Sequence, residues 1–365
     1  MSIERRYNAG VSPEAEQFTD EDGEFDIAQF ILQTTHEVWD EQRFERIHDY
    51  FADGFVSYGA EGREFADLDR LYDYVLRRTS AFPDTRVFVD DLLWVGDDET
   101  GYRTSHRFTV TGTNTGRSPY GAPTGKRLRL TGIANCTVEK VDRRWQYTEE
   151  RAEDDQFAVL RACTPGEVGP YPDVPDQTLQ TTHAGTDSDD ADADADADVE
   201  STTEPPARSS DDGSVVRTGP DVRPGAFDPV SHLSEGAITV WNDRSVGALE
   251  DYYAADVSIE APSGRDLRGV DELRAEVLER LAAFPDLTFR IDELLVVDDG
   301  PGYDSSMAFT ATGTHAGPSK YGSATGKKVR FTGIVNQRLR QVGDAWRVVE
   351  LREDLDERRL MRLLH

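Results

Sequence analysis

Apolar positions first recur at helical spacing. Ile27, Phe30, Ile31, Thr34 and Val38 share one face, and Phe44, Ile47 and Phe51 share the face of a second helical stretch. A short strand is predicted around 55–58, then a third helix carrying Leu68, Leu71 and Val75. Beyond it the pattern becomes that of strands, at 84–95, 102–113, 126–141 and 144–153, with turn residues between them. Helices followed by long antiparallel strands predict an α+β domain. Its helices pack on one face of a curved sheet, as a cone with a pocket between the layers.

The pattern then repeats. The segments Thr111–Asn135 and Thr312–Asn336 are identical at 15 of 25 positions. Outside them Trp39 pairs with Trp241, Phe82-Pro83-Asp84 with Phe284-Pro285-Asp286, Glu149 with Glu350, Arg151 with Arg352 and Asp155 with Asp356. A module of roughly 135 residues is duplicated. Between the copies the apolar periodicity vanishes. Prolines open this stretch, and it continues through the tract Asp189-Asp190-Ala191-Asp192-Ala193-Asp194-Ala195-Asp196. Such a segment buries too little to offset the entropy of ordering it. The expected organisation is an acidic lead at 1–22, a first domain at 23–163, a disordered linker at 164–223 and a second domain at 224–365.

Charge narrows the function classes. The 71 acidic residues against 40 basic give a net charge of −31, and only five of the basic residues are lysines. Nucleic acid is therefore a poor partner, since phosphate binding needs basic stripes. The composition resembles that of cytoplasmic proteins from extreme halophiles, whose clustered carboxylates are tolerable once molar salt screens them. No apolar run is long enough for a bilayer and Met1–Arg6 lacks a signal-peptide pattern, so a cytoplasmic protein with no membrane partner is expected. Cys136 and Cys163 cannot build a disulfide framework, and the seven scattered histidines show no metal-ligand spacing. Neither a metal nor a cofactor is expected.

The chemistry-bearing residues stand in the repeat. Phe-Pro-Asp precedes a strand; Thr-Gly-Thr-(Asn/His)-x-Gly and Thr-Gly-Lys follow; a last strand ends in Asp before a short helix. This combination resembles the SnoaL-like polyketide (ester) cyclases of the NTF2-like superfamily. The resemblance implies two NTF2-like cones in one chain, paired as an internal pseudo-dimer, with further homo-oligomerisation left open. It also implies cofactor-free aldol ring closure of a small-molecule carbonyl substrate, with one carboxylate removing a proton α to a carbonyl and returning it to oxygen. That role falls on Asp155 and Asp356, which could equally be N-caps of the helices they precede.

Departures from the family pattern supply the other candidates. Arg151 and Arg352 replace a usual Trp and either bind a substrate oxyanion or pair with Glu149 and Glu350. The histidine of the Thr-Gly-Thr-His motif survives as His315, against Asn114, while the Arg of the preceding strand survives as Arg107, against Ala308. Asn135 and Asn336 interrupt apolar strands and orient either a ligand or a neighbouring strand. Because Asp356 keeps His315, the second pocket is expected to be the more active. The alternatives are a non-catalytic ligand-binding or assembly protein, and a hydrolase, dehydratase or isomerase on the same fold.

Overall fold

The computed structural model describes residues 18, 25–118, 121–169, 171, 215–219, 222, 225 and 227–365. Apart from Phe18, the acidic lead lies outside the described residues, and so does the Asp-Ala tract of the linker. In the first domain α1 (Ile27–Thr35), α2 (Ile47–Tyr50) and α3 (Leu68–Ala81) lie against one sheet. Its strands are β1 (Phe51–Gly59), β2 (Arg63–Phe65), β3 (Arg86–Asp97), β4 (Gly101–Thr113), β5 (Arg127–Val141) and β6 (Arg144–Asp154), in the order β2-β1-β6-β5-β4-β3. The short α4 (Gln156–Cys163) closes the unit.

The second domain repeats this with α5 (Pro229–Trp241), α6 (Leu249–Tyr252), β8 (Tyr253–Ala261), β9 (Arg265–Arg268) and α7 (Val270–Ala283). There follow β10 (Thr288–Asp298), β11 (Gly302–Thr314), β12 (Lys328–Val342), β13 (Ala345–Leu355) and α8 (Glu357–Leu364). Both sheets are mixed rather than purely antiparallel, because β1 runs parallel to β6 and β8 parallel to β13. One part of the expected linker is ordered: β7 (Val215–Thr218) pairs in parallel with β10 and covers that edge of the second sheet.

Helices cover one face of each sheet, and the other faces meet. At the centre of this contact Ile133, Ala308 and Ile334 are fully buried against one another. Reciprocal bonds flank them: Ser306 donates to Asn135 at 3.1 Å, and Asn336 donates to Ser105 at 3.2 Å. Ion pairs ring the apolar centre, with Arg107 on Glu350 at 2.8 Å, Arg151 on Asp292 at 3.1 Å and Arg338 on Asp91 at 3.2 Å. The chain is thus a pseudo-dimer built face to face across two sheets.

The ends of β6 and β13 bring a further set of carboxyl groups into this contact. Burial, opposed by Arg352, pushes the Asp354 carboxyl up to about 6. Burial also raises Glu153, with Asp356 adding repulsion, and raises Asp155 against the pull of Arg161. A carboxyl whose pKa is higher in the folded state favours folding when protonated. Its contribution is full below the ordinary carboxylate range and is lost as pH rises through about 6. Glu37 and Glu357, held low by hydrogen bonds and cations despite their burial, act in the opposite sense and lose their contribution as pH falls through the acid range. In molar KCl, the melting temperature is therefore expected to rise between pH 8 and pH 5, by the equivalent of about 1–3 kcal/mol, before falling in stronger acid. A melting temperature that falls steadily from pH 8 to pH 5 would contradict this.

Candidate functional site

The cavity-facing residues follow from a β-bulge. In β6, Tyr147 pairs with Val138 and Glu149 with Thr137, so Thr148 is an extra residue and strand parity reverses there. Tyr147 points into the core of the cone, but beyond the bulge Glu150, Ala152 and Asp154 point inward, while Glu149, Arg151 and Glu153 face the other domain. A second bulge at Asp90, whose side chain accepts from Thr109 at 2.7 Å, shifts β3 in the same way.

The first domain encloses a cavity of about 110 Å³. The floor follows three rows of the sheet, Thr104-Cys136-Glu150, His106-Ala134-Ala152 and Phe108-Gly132-Asp154, on strands about 4.8 Å apart, and of these Glu150, His106, Ala134, Ala152, Phe108 and Asp154 line the space. Small residues leave the space. At Gly132 a Cβ would stand 2.3 Å from Cζ of Phe108, so glycine is what lets that ring lie on the floor. Across the cavity the helical layer supplies Val38 and Trp39 from a single π-helical turn, His36–Asp40, together with Leu71, Val75 and Arg78 from α3. Such turns widen a helix by one residue and are common at functional sites.

Polar groups are few and specific here. Arg78 donates to Asp154 at 3.3 Å and to the Tyr74 hydroxyl at 2.6 Å, and Gln156 donates to the other oxygen of Asp154. Ser57 donates to Glu150 at 3.0 Å. His106 is 8% exposed, and its Nδ1 is buried with no hydrogen-bond partner. Burial depresses its pKa to about 4, so the ring is neutral at physiological pH.

The second cone is filled. Relative to the first copy, Met307 replaces His106, Val335 replaces Ala134, and Leu351, Glu353 and Leu355 replace Glu150, Ala152 and Asp154. Arg280, the counterpart of Arg78, is clamped by Glu353 through bonds of 2.6 and 2.8 Å and lies over the Trp241 ring at 5.0 Å. About 50 Å³ of cavity is left. Of the two cavities the larger therefore lies in the first domain, while the expectation of greater activity is attached to the second through His315.

None of the candidate site residues Asp155, Asp356, Arg151, Arg352, His315, Arg107, Asn135 and Asn336 lines either cavity. Asp155 caps α4, accepting from the Ala158 amide at 3.1 Å and pairing with Arg161 at 2.7 Å, and Asp356 caps α8 by accepting from the Arg359 amide at 3.0 Å. The partner of Arg151 is Asp292 of the other domain, not Glu149; Arg352 holds Glu260 at 2.8 Å and Asp354 at 3.0 Å, not Glu350. Arg107, Asn135 and Asn336 serve the interface described above.

His315 is a loop brace. It sits between Thr325 and Ser319 at 3.3 Å each, and its counterpart Asn114 does the same work by accepting from Thr124 and donating to the Ala81 carbonyl. Asp154 and Glu150 were missed because parity counted forward from the core-facing Tyr147 turns Glu149 and Arg151 inward unless the bulge is known, and Arg78 stands on α3, which that count does not reach. The surplus residue between two paired strands is the only signal, and it requires the pairing to be known.

Fold and cavity together define a tandem of two NTF2-like domains, each a helical layer over a curved mixed sheet. The model of the SnoaL-like polyketide cyclase family matches residues 29–162 and again 232–362. The chain belongs to that family, twice over. Solved structures that resemble it include a protein classed as a SnoaL-like polyketide cyclase from Jannaschia sp. CCS1, 14% identical, covering 39% of this chain and 97% of that one, with a TM-score of 0.31. Another, classed as a polyketide cyclase, comes from Acidithiobacillus ferrooxidans, at 22% identity, 39% and 97% coverage and a TM-score of 0.32. TsrD from Streptomyces laurentii is 19% identical, with 38% and 97% coverage and a TM-score of 0.32. No curated protein matches the sequence. Among the described residues no helix is long and apolar enough to cross a membrane.

Proposed function

We propose that the chain is a cyclase-type acid–base enzyme acting on a small carbonyl compound, and that the first cone is where it works. The observation that carries this reading is a mostly apolar cavity whose floor ends in the Asp154–Arg78 pair, set against a second cone in which the same positions are filled. The Asp154 carboxylate is the base. It takes a proton from the carbon α to a carbonyl, and the C–H electron pair becomes an enolate. The enolate carbon then bonds to a second carbonyl carbon of the same molecule, and the resulting alkoxide recovers the proton from Asp154. Arg78 and Gln156 hold the carboxylate in place, and Trp39, Val38 and Phe108 keep water away from the enolate.

The test is deuterium uptake from D2O at the α carbon of β-keto esters and aryl ketones. Asp154→Asn is expected to lower the rate about 10²-fold or more with folding intact. Asp155→Asn and Asp356→Asn are expected to leave both the rate and the caps nearly unchanged, because Asn caps a helix about as well as Asp. Loss of activity from Asp155→Asn with Asp154→Asn silent would reverse the assignment.

A further inference from the structure

The first cavity contains one group that the acid–base step leaves unused. His106 projects from the middle row of the floor on β4, two strands from Glu150 and Asp154 on β6; with Tyr74 and Arg78 of α3 these are the other ionisable groups among the described lining residues. A buried imidazole nitrogen without a partner costs roughly 1–3 kcal/mol, and nothing in the packing requires it, because the second copy places Met307 at the same point. Among the described residues the ring is the cavity's only histidine; Glu150 and Asp154 accept hydrogen bonds, and Arg78 is engaged with Asp154 and Tyr74. None of the cavity's acceptors is bonded to Nδ1 of the ring.

We infer that His106 donates a hydrogen bond to the carbonyl oxygen of the bound compound, so that the first cone selects small aryl or alkyl ketones and esters and stabilises their enolates. The inference rests on the proposed acid–base reading for the enolate but not for the binding. A neutral imidazole suits this task. It strengthens its bond as charge builds on oxygen, and it does not surrender its proton to the carboxylates nearby. No proton leaves His106 in the step: the α proton goes to Asp154, the electron pair goes into the enolate, and the imidazole N–H remains whole. Removing one donor of this kind from a water-poor site typically lowers a rate about 10²–10³-fold.

Acetophenone serves as the probe, with the full chain. Its carbonyl stretch reads hydrogen-bond donation, and deuterium uptake at its methyl group reads proton removal. For the wild type, the stretch of the bound ketone is expected at lower wavenumber than in His106→Met, and His106→Met should lose about 10²-fold in deuterium uptake while keeping its melting temperature. His106→Asn, whose amide N–H stands near the position of Nδ1, should recover part of both. Asp154→Asn should abolish uptake and leave the stretch unmoved. A His106-dependent stretch without any uptake in the wild type would refute the acid–base reading and keep the carbonyl contact. The same stretch in wild type and His106→Met, or no binding of acetophenone by the wild type, would overturn the assignment of His106.

Discussion

Replacing Glu353 by Ala is expected to destabilise the second domain by about 3–5 kcal/mol, one of the two largest effects anticipated for a single substitution in this chain. Arg280 is 6% exposed and its guanidinium is held by Glu353 through two bonds. Trp241 covers it, and Glu276, the remaining carboxylate at 3.8 Å, is already bonded twice by Arg265 and once by Lys320. Deleting one member leaves a buried charge without adequate compensation. Replacing both together, as Arg280→Met with Glu353→Leu, is expected to restore most of the loss, because apolar groups of similar volume fill the same space without a desolvation penalty. Urea midpoints of the two variants check this. A loss below about 1 kcal/mol from Glu353→Ala would mean that water reaches Arg280, and that the second cone is more open than its packing indicates.

The other large effect is expected at the seam between the domains. Ile133→Asp should separate the sheets. Ile133 is fully buried against Ala308 and Ile334, and its neighbour across the β5–β6 ladder is Glu153, whose carboxyl burial has already pushed upward. A second carboxylate here combines lost apolar contact, desolvation and like-charge repulsion, a cost of at least about 4 kcal/mol. Each cone has its own core on the other face of its sheet, so the loss should fall on the contact rather than on either fold. Calorimetry should then show two separate melting transitions in place of a coupled one. Ile133→Val, which removes one methylene, is expected to cost only about 1 kcal/mol and keep the transitions coupled. A single coupled transition in Ile133→Asp would show that the ring of ion pairs alone holds the domains together.

The division of labour between the copies bears on how such duplications evolve physically. One cone keeps small floor residues and unspent polar groups; the other fills the same positions and places a bidentate ion pair where the first has Ala152. The filled copy buries the sheet face of the open one, including Asn135, Arg107 and Arg151, which would otherwise be exposed. In the proposed reading, the second domain is the partner subunit of the first, carried on the same chain.

The sequence by itself determined the duplication, the helix-then-sheet order and the family, because those rest on local signals: apolar period, turn residues and runs of identity that any register preserves. It also showed that Asp155 and Asp356 precede short helices, and capping is what both do. Which face of the last strand looks into the cone was decided only by tertiary structure. Strand side chains alternate with period two, so one extra residue moves every later side chain to the opposite face. Thr148 is that residue in the first copy and Val349 in the second, and nothing in their identity marks them; the bulge exists only relative to the partner strands β5 and β12. Arg151 was thereby turned from the cavity to Asp292, and Asp154 was turned inward to Arg78. The filling of the second cone was equally illegible. Arg78 and Arg280 align, yet their partners Asp154 and Glu353 come from different positions of the repeat, and only packing brings each pair together.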